Sequence, residues 1–527
     1  MLANLNCYVK RVSIFLITAA LIAGMVGCGP LPSEIHDWYE LDAVRNNLDG
    51  SYILMNDLDS TTGGYEELAS PTANGGKGWQ PIGSWDTGFT GSFDGREYEI
   101  RDLFINRPDE DDLGLFGDVE QSGVIKNVGV MNATVIGQDR VGGLAGLNAG
   151  TVSNSYYGGS VTGSSHHYHV GGLLGGNEGT VTNSYSTGNV TGGGYVGGLV
   201  GSNVGTLTNS HSNSSVTASD EVVGGLVGMN AEGTVNSSYS TGNVTGNLGV
   251  GGLVGANGVS GPGTVTDSYS TSSVTGNLGV GGLVGGNSYE GSIVSNSYST
   301  GSVSGNLSVG GLVGGNEGGT VTDSYSISNV TGVDNVGGLV GWNEVGDVSY
   351  SYSTGSVTGE SCVGGLMGWN EEGDVSNSYS TGNVTGVQSV GGLVGFNFLG
   401  SVIDSYSTGS VTGETYIGGL VGFNEAGSVS NSYSTGSVTG NSSVGGLVGG
   451  NGSEGSTVSD SFWDTETSGQ TTSAGGTGKT TAEMKNITNF SGAGWNIIAV
   501  ASSETNPAYI WNIVDDETYP FLSWQPF

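Results

Sequence analysis

Val336-Gly-Gly-Leu-Val-Gly-Trp342-Asn343, Asp347-Val-Ser-Tyr-Ser-Tyr352-Ser353 and Ser356-Val-Thr-Gly359 are the three pieces of one repeat, and their reading decides the fold. Each piece is short, rich in β-branched or aromatic residues, and bounded by Gly, which is the composition of strands joined by turns. Gly every few residues leaves no room for a helical period of 3.6. The six-residue opening recurs, with small changes, at Val141, Val170, Val196, Val223, Val250, Val280, Val309, Val336, Val363, Val390, Ile417 and Val444. Most intervals are 27 residues and the extremes are 26 and 30. A weaker copy, Leu113-Gly-Leu-Phe-Gly117, precedes the first.

Three strands and three turns in 27 residues make one coil of an all-β parallel β-solenoid. One coil cannot bury its own apolar face, so coils must stack, and equivalent residues then form columns about 4.8 Å apart. Two columns stand out. Seven residues after each opening Val or Ile comes an Asn in all twelve copies: Asn148, Asn177, Asn203, Asn230, Asn257, Asn287, Asn316, Asn343, Asn370, Asn397, Asn424 and Asn451. Stacked amides can bond along the axis, and Asn also tolerates the left-handed backbone of a turn. The second column is aromatic and runs from Tyr156 to Phe462, with His211 in the third coil. A Val four residues before nearly every ring, as Val348 is to Tyr352, lies on the same face of the strand. The column therefore reads as core lining, with a ligand-binding aromatic row as the alternative.

The chain divides into a leader at 1–27, a linker at 28–34, an N-terminal cap with irregular first coils at 35–140, the twelve-repeat array at 141–466, and a loop with a C-terminal cap at 467–527. Ile35 to Leu48 has apolar residues at helical spacing and suits a short helix closing the first coil. The aromatic segment ending in Tyr519-Pro-Phe-Leu-Ser-Trp524 is expected to cover the far end, since a bare terminal coil invites aggregation.

The net charge is -37, and no Lys or Arg occurs between Val141 and Gly478. A nucleic-acid partner needs a basic stripe and is excluded. The acidity suits a soluble repetitive surface or the holding of Ca²⁺. Lys10 and Arg11 precede an apolar run from Ser13 to Val26, too short to span a bilayer. Met25-Val-Gly-Cys28 resembles a prokaryotic lipobox, which implies lipidation of Cys28 and anchoring at the membrane with the body displayed outward. Cys7 goes with the leader, so Cys362 is the remaining thiol and no disulfide framework exists.

The Gly-Gly-Leu-Val-Gly core with its Asn, followed by Asn-Ser-Tyr-Ser and Val-Thr-Gly, resembles the GLUG-motif repeats of bacterial and archaeal surface proteins. Asn56–Asp59, Trp79–Gly83 and Phe93–Gly95 are similar to the segment that precedes such repeats. Phe462–Asp464 and Gly475–Met484 are similar to the one that follows. The resemblance covers about 35–527 and implies a surface-displayed repeat array. GLUG repeats also accompany IgA-cleaving metallopeptidases and adhesin-like proteins, in which they are accessory.

A zinc peptidase needs His-Glu-x-x-His, and none of His36, His166, His167, His169 and His211 has that spacing. His166-His167-Tyr168-His169 reads as a turn insertion, with a transition-metal site as the alternative. Ser473 to Thr480 nearly matches a phosphate-binding loop but lacks its first Gly and any βαβ context. Polysaccharide lyases need an Arg or Lys base, which the array lacks. Glycoside hydrolases need only carboxylates. Asp347 with Asp374, and Glu344 with Glu371, occupy equivalent places in adjacent coils, where they could serve as such a pair, as a cation site, or as solvated turn residues. The residue before the invariant Asn is Trp342, Trp369, Phe396 and Phe423 in four consecutive coils. Facing outward, these rings would make a ladder for sugar rings or a protein partner. These features point to a non-enzymatic, lipid-anchored surface protein with a structural or adhesive role, the alternative being a polysaccharide-hydrolysing β-helix enzyme.

Overall fold

The structure is a computed structural model that describes residues 31–164, 169–452 and 454–525. The leader with Cys28, and His166-His167-Tyr168, lie outside the described residues.

The chain winds into a stack of parallel coils. One coil shows the plan. Asp334–Gly337 forms a first face, Val340–Glu344 a second, Asp347–Ser349 a third, and Tyr352–Ser353 with Val357–Thr358 a fourth. Equivalent strands pair in register from coil to coil, giving sheets of 11, 13 and 16 strands on the first three faces. On the fourth face the two short columns merge into continuous strands in the early coils, Gly129–Ile136, Tyr156–Thr162 and Tyr185–Gly192.

A coil thus has five short strands rather than the three expected. The extra breaks have local causes. At Gly338 the backbones of successive coils come so close that an added Cβ would lie 2.1 Å from the Gly365 carbonyl oxygen. At Tyr350 the backbone turns left-handed, with φ of 49°, and the equivalent residues Asp323, Asn377, Asp404 and Asn431 do the same. That turn reverses the in–out alternation. Val348 points into the core, Ser351 and Ser353 point in after it, and Tyr352 points out. The core is therefore aliphatic: Val336, Leu339, Val340, Val348 and Val357 of each coil are buried against their counterparts above and below. Burying each is worth about 1.5–3 kcal/mol, and every one of them needs the neighbouring coil to be covered.

The Asn column is buried and continuous. The Nδ2 of Asn343 donates to the Oδ1 of Asn370 at 2.8 Å and to the carbonyl of Gly346 at 2.7 Å, and similar amide-to-amide bonds run from Asn148 to Asn451. Its residues lie in the second-face strands with ordinary extended backbone. The left-handed corner expected of them belongs instead to the residue that opens the Asn-Ser-Tyr-Ser motif, an Asn, Asp or Ser in every coil but the one that carries Tyr350. The Oδ1 of Asn148 is left without a partner, because Val119 occupies the preceding rung. A second polar column passed unnoticed in the sequence. Ser351 Oγ donates to the Ser349 carbonyl at 2.7 Å and accepts from the Ser324 N–H at 3.2 Å, and the same pair of bonds repeats along the corner.

Helix α1, Trp38–Ala43, follows the terminal strand Ser33–Ile35 and buries Trp38 and Leu41 on the first coil. Asp37 caps it by accepting from the Glu40 N–H at 2.9 Å. At the other end the expectation was reversed. The segment read as a loop covers the last coil: the Gly446 N–H donates to the Thr472 carbonyl, Ser473 meets the Leu447 and Val448 amides, and Thr477–Lys479 pairs with Phe462–Asp464. The Lys479 ammonium of the loop's phosphate-binding look-alike bonds Asn489, and Thr480 caps a helical turn at Thr481–Met484. Residues 481–525 lie along the fourth face as a clamp.

Candidate functional site: a groove ending on two indoles

The outer surfaces of the first and second faces meet in a groove of about 500 Å³. Its floor is the column preceding the ladder Asn, whose register runs Ala256, Gly286, Gly315, Trp342, Trp369, Phe396, Phe423. Where that column is small the surface is hollow; an added Cβ at Gly315 would meet nothing nearer than 4.0 Å. Leu248, Leu278 and Leu307 form one wall and stay 37–41% exposed. A left-handed residue follows each of them, Gly249, Gly279 and Ser308, and this turn holds the Leu outward while the next Val enters the core. Trp342 and Trp369 close the trough, with the Glu317 and Glu371 carboxylates at its margin.

The four aromatic residues singled out in the sequence do share one outward column, and each is half-buried. They do not form one uniform ladder. Trp369 meets Phe396 edge-on at 5.0 Å, Phe396 lies parallel to Phe423 at 5.6 Å, and Phe423 also packs on Tyr416 at 4.8 Å. Only Trp342 and Trp369 line the groove. The Trp369 indole N–H is buried without a partner.

The carboxylate pairs are register neighbours, Glu344 with Glu371 and Asp347 with Asp374. The two pairs sit on different faces, and among the described residues no three His, Cys, Asp or Glu side chains converge to hold a metal ion. Partial burial and the neighbouring Asp374 push the Asp347 carboxyl above its usual range, and Asp374 itself accepts from the Ser401 hydroxyl. At the N-terminal end, the column that becomes the groove floor carries Asp118. Burial, then Asp112 and Glu120, push its carboxyl up to about 6.

The aromatic column of the fourth face is not core lining, because the left-handed corner turned it outward. Its rings stack face to face, 4.9 Å apart and 3° from parallel at Tyr298 and Tyr325. Each face is occupied by the next ring, so the column offers edges and hydroxyls and has no platform for a sugar. Its last rungs are covered by the clamp. Tyr433 donates to the Pro520 carbonyl, Gln525 donates to the Tyr406 hydroxyl, and Trp524 lies over Tyr379 and Tyr352. The Trp511 indole N–H reaches Asp404 at 3.1 Å.

Coil geometry, Asn ladder and repeat together define a parallel β-solenoid of stacked repeats. The family profile described as the GLUG motif matches residues 166–191, 276–304, 305–331, 332–358, 359–385, 386–412 and 413–439. The chain is similar to halomucin of Haloquadratum walsbyi, at 36% identity over 25% of this chain and 2% of halomucin. It is also similar to a "Putative Gly-rich membrane protein" of Evansella cellulosilytica, at 36% identity over 26% of this chain and 15% of that protein. The matched segment is thus a small part of either relative. A solved structure described as a "putative immunoglobulin A1 protease" from Bacteroides ovatus aligns over 73% of this chain and 78% of its own, with 18% identity and a TM-score of 0.27, too loose a likeness to bear on function.

Proposed function

We propose that the protein is a cell-surface repeat protein, anchored through a lipid on Cys28, which holds a glycan chain or the apolar edge of a protein partner in the groove. The carrying observation is the trough of Leu248, Leu278 and Leu307 over a Gly and Ala floor, closed by Trp342 and Trp369. An indole at the end of a trough suits the apolar face of a sugar ring, and Glu317 and Glu371 at the margin can accept its hydroxyl protons. A rod on which no three His, Cys, Asp or Glu side chains converge among the described residues suits an adhesive or structural role. The names of the two relatives, a halomucin and a membrane protein, support an exterior location. The absence of Lys and Arg from 141–478 argues against a nucleic-acid partner.

The test is a glycan array and a cell-binding assay with residues 29–527, alongside variants with Trp342 and Trp369, and then Phe396 and Phe423 as well, replaced by Ser. Binding should fall at least tenfold on loss of the two Trp, with little further change on loss of the two Phe and no change in Tm beyond a few degrees. Unchanged binding sinks the proposal. Release of reducing ends from a polysaccharide panel would replace it with the hydrolase reading.

A further inference from the structure

The fourth face carries a chemistry unrelated to the groove. Tyr239, Tyr269, Tyr298 and Tyr325 stack consecutively, with ring centroids 4.9, 5.0 and 4.9 Å apart and ring planes within 5° of parallel. All four are partly exposed, whereas Tyr379, Tyr406 and Tyr433 are buried under the clamp. The clamp reaches down the column only as far as Tyr352, through Trp524. Phenol rings held this way have the ortho carbon of each beside that of the next, an arrangement that free tyrosines in solution reach only by collision. The uncovered rings also have solvent on their outer edges and so have room to swing.

We propose that these four tyrosines are a site of oxidative coupling, in which dityrosine bonds join one coil to the next. The oxidant is hydrogen peroxide acting through a one-electron catalyst of the peroxidase class. Each of two neighbouring phenols gives up one electron and its O–H proton. The two phenoxyl radicals join through their ortho carbons, forming one C–C bond. Each ortho carbon then loses its hydrogen as a proton while each oxygen regains one, restoring both phenols. Two tyrosines and one peroxide give one dityrosine and two waters. The bond would staple coils that no disulfide staples, since Cys362 is free and is the one cysteine among the described residues. His211 interrupts the phenols below Tyr239 and confines coupling there to the separate pair Tyr156 and Tyr185.

The experiment treats residues 29–527 with horseradish peroxidase and hydrogen peroxide and isolates the monomer by size exclusion. Dityrosine is read by its fluorescence and by mass spectrometry. An Asp- or Glu-specific protease is required, because the array has no tryptic site between 141 and 478. Cross-links should join tyrosines one coil apart between Tyr239 and Tyr325, at least tenfold more often than Tyr379 to Tyr406 or Tyr406 to Tyr433. Two double variants with equal tyrosine counts sharpen the result, and Phe keeps the stack in both. Tyr269→Phe with Tyr325→Phe leaves no adjacent pair among the four and should abolish these cross-links. Tyr239→Phe with Tyr269→Phe keeps Tyr298 beside Tyr325 and should retain that one. Equal yields from the two variants, dityrosine confined to dimers, or tyrosine consumed without any cross-link in the monomer would each overturn the proposal.

Discussion

Replacing Asn343 by Ala should open the solenoid at one coil without unfolding the rest. Asn343 is fully buried; it donates to Asn370 at 2.8 Å and to the Gly346 carbonyl at 2.7 Å, and it accepts from Asn316 at 2.7 Å. Ala removes all three bonds and leaves an amide N–H, an amide oxygen and a carbonyl stranded within the buried column. Each stranded group costs about 1–3 kcal/mol, so the coil should lose at least about 3 kcal/mol, or roughly a hundredfold in the local opening equilibrium. No backbone relief offsets this, because Asn343 is not left-handed. In a stack where each coil contacts only its neighbours, the loss stays local. Hydrogen–deuterium exchange read on peptic peptides should therefore show amides of 336–389 exchanging about a hundredfold faster, and those of 141–250 unchanged. The control is Asn329→Ala, which removes an exposed amide that accepts from the Ser356 N–H at 3.1 Å. Acceleration of less than about threefold at Asn343, or equal effects from the two variants, would refute a structural role for the column.

Gly338→Ala and Gly315→Ala should behave oppositely, since a Cβ at the first lies 2.1 Å from the Gly365 oxygen and one at the second meets nothing nearer than 4.0 Å. Thermal melts should show a loss of several degrees for Gly338→Ala and almost none for Gly315→Ala, which would instead narrow the groove. Asp118, with its carboxyl raised to about 6, binds its proton more tightly in the folded chain. Its contribution is full below about pH 4 and is lost as pH rises through 6, so Asp118→Asn should raise Tm at pH 8 and leave it unchanged at pH 4. The charge of -37, uncompensated along the array, makes stability depend on salt. Raising ionic strength from 0.1 to 1 M shortens the screening length from about 10 to about 3 Å, below the coil spacing, and Tm should climb by several degrees; a flat response would mean that repulsion between acidic columns does not limit the stack.

The parallel solenoid was legible because the repeat is written in residues whose spacing is fixed by the coil perimeter, and the Asn column was legible because every copy keeps it. The direction of the Tyr column was not. Period-two reasoning carries Val348 and Tyr352 to the same side, and one left-handed residue between them undoes it. The Asn, Asp or Ser at that corner was the available signal, but it was spent on the wrong column. The groove was half-legible: the aromatic stretch from Trp342 to Phe423 was visible, whereas the emptiness before it depends on Ala256, Gly286 and Gly315 lying in the same register as the Trp. The clamp's seat was hidden because its contacts, such as Gln525 to Tyr406, span more than a hundred residues of chain and follow no period.

The Asn ladder also governs how the array can change length. Most ladder amides hold the carbonyl that closes the next corner, and the number of residues between them varies. Asn203 reaches Gly205, Asn343 reaches Gly346, and Asn257 reaches Gly263 across a longer excursion, with the amide-to-amide bond onward essentially the same in all three. Whatever is inserted between the two anchors is pushed outward, and the ring of the coil still closes. Variation at this corner is thereby steered to one edge of the rod, where foreign peptides of different lengths could be spliced into successive coils and carried in a row at molecular spacing.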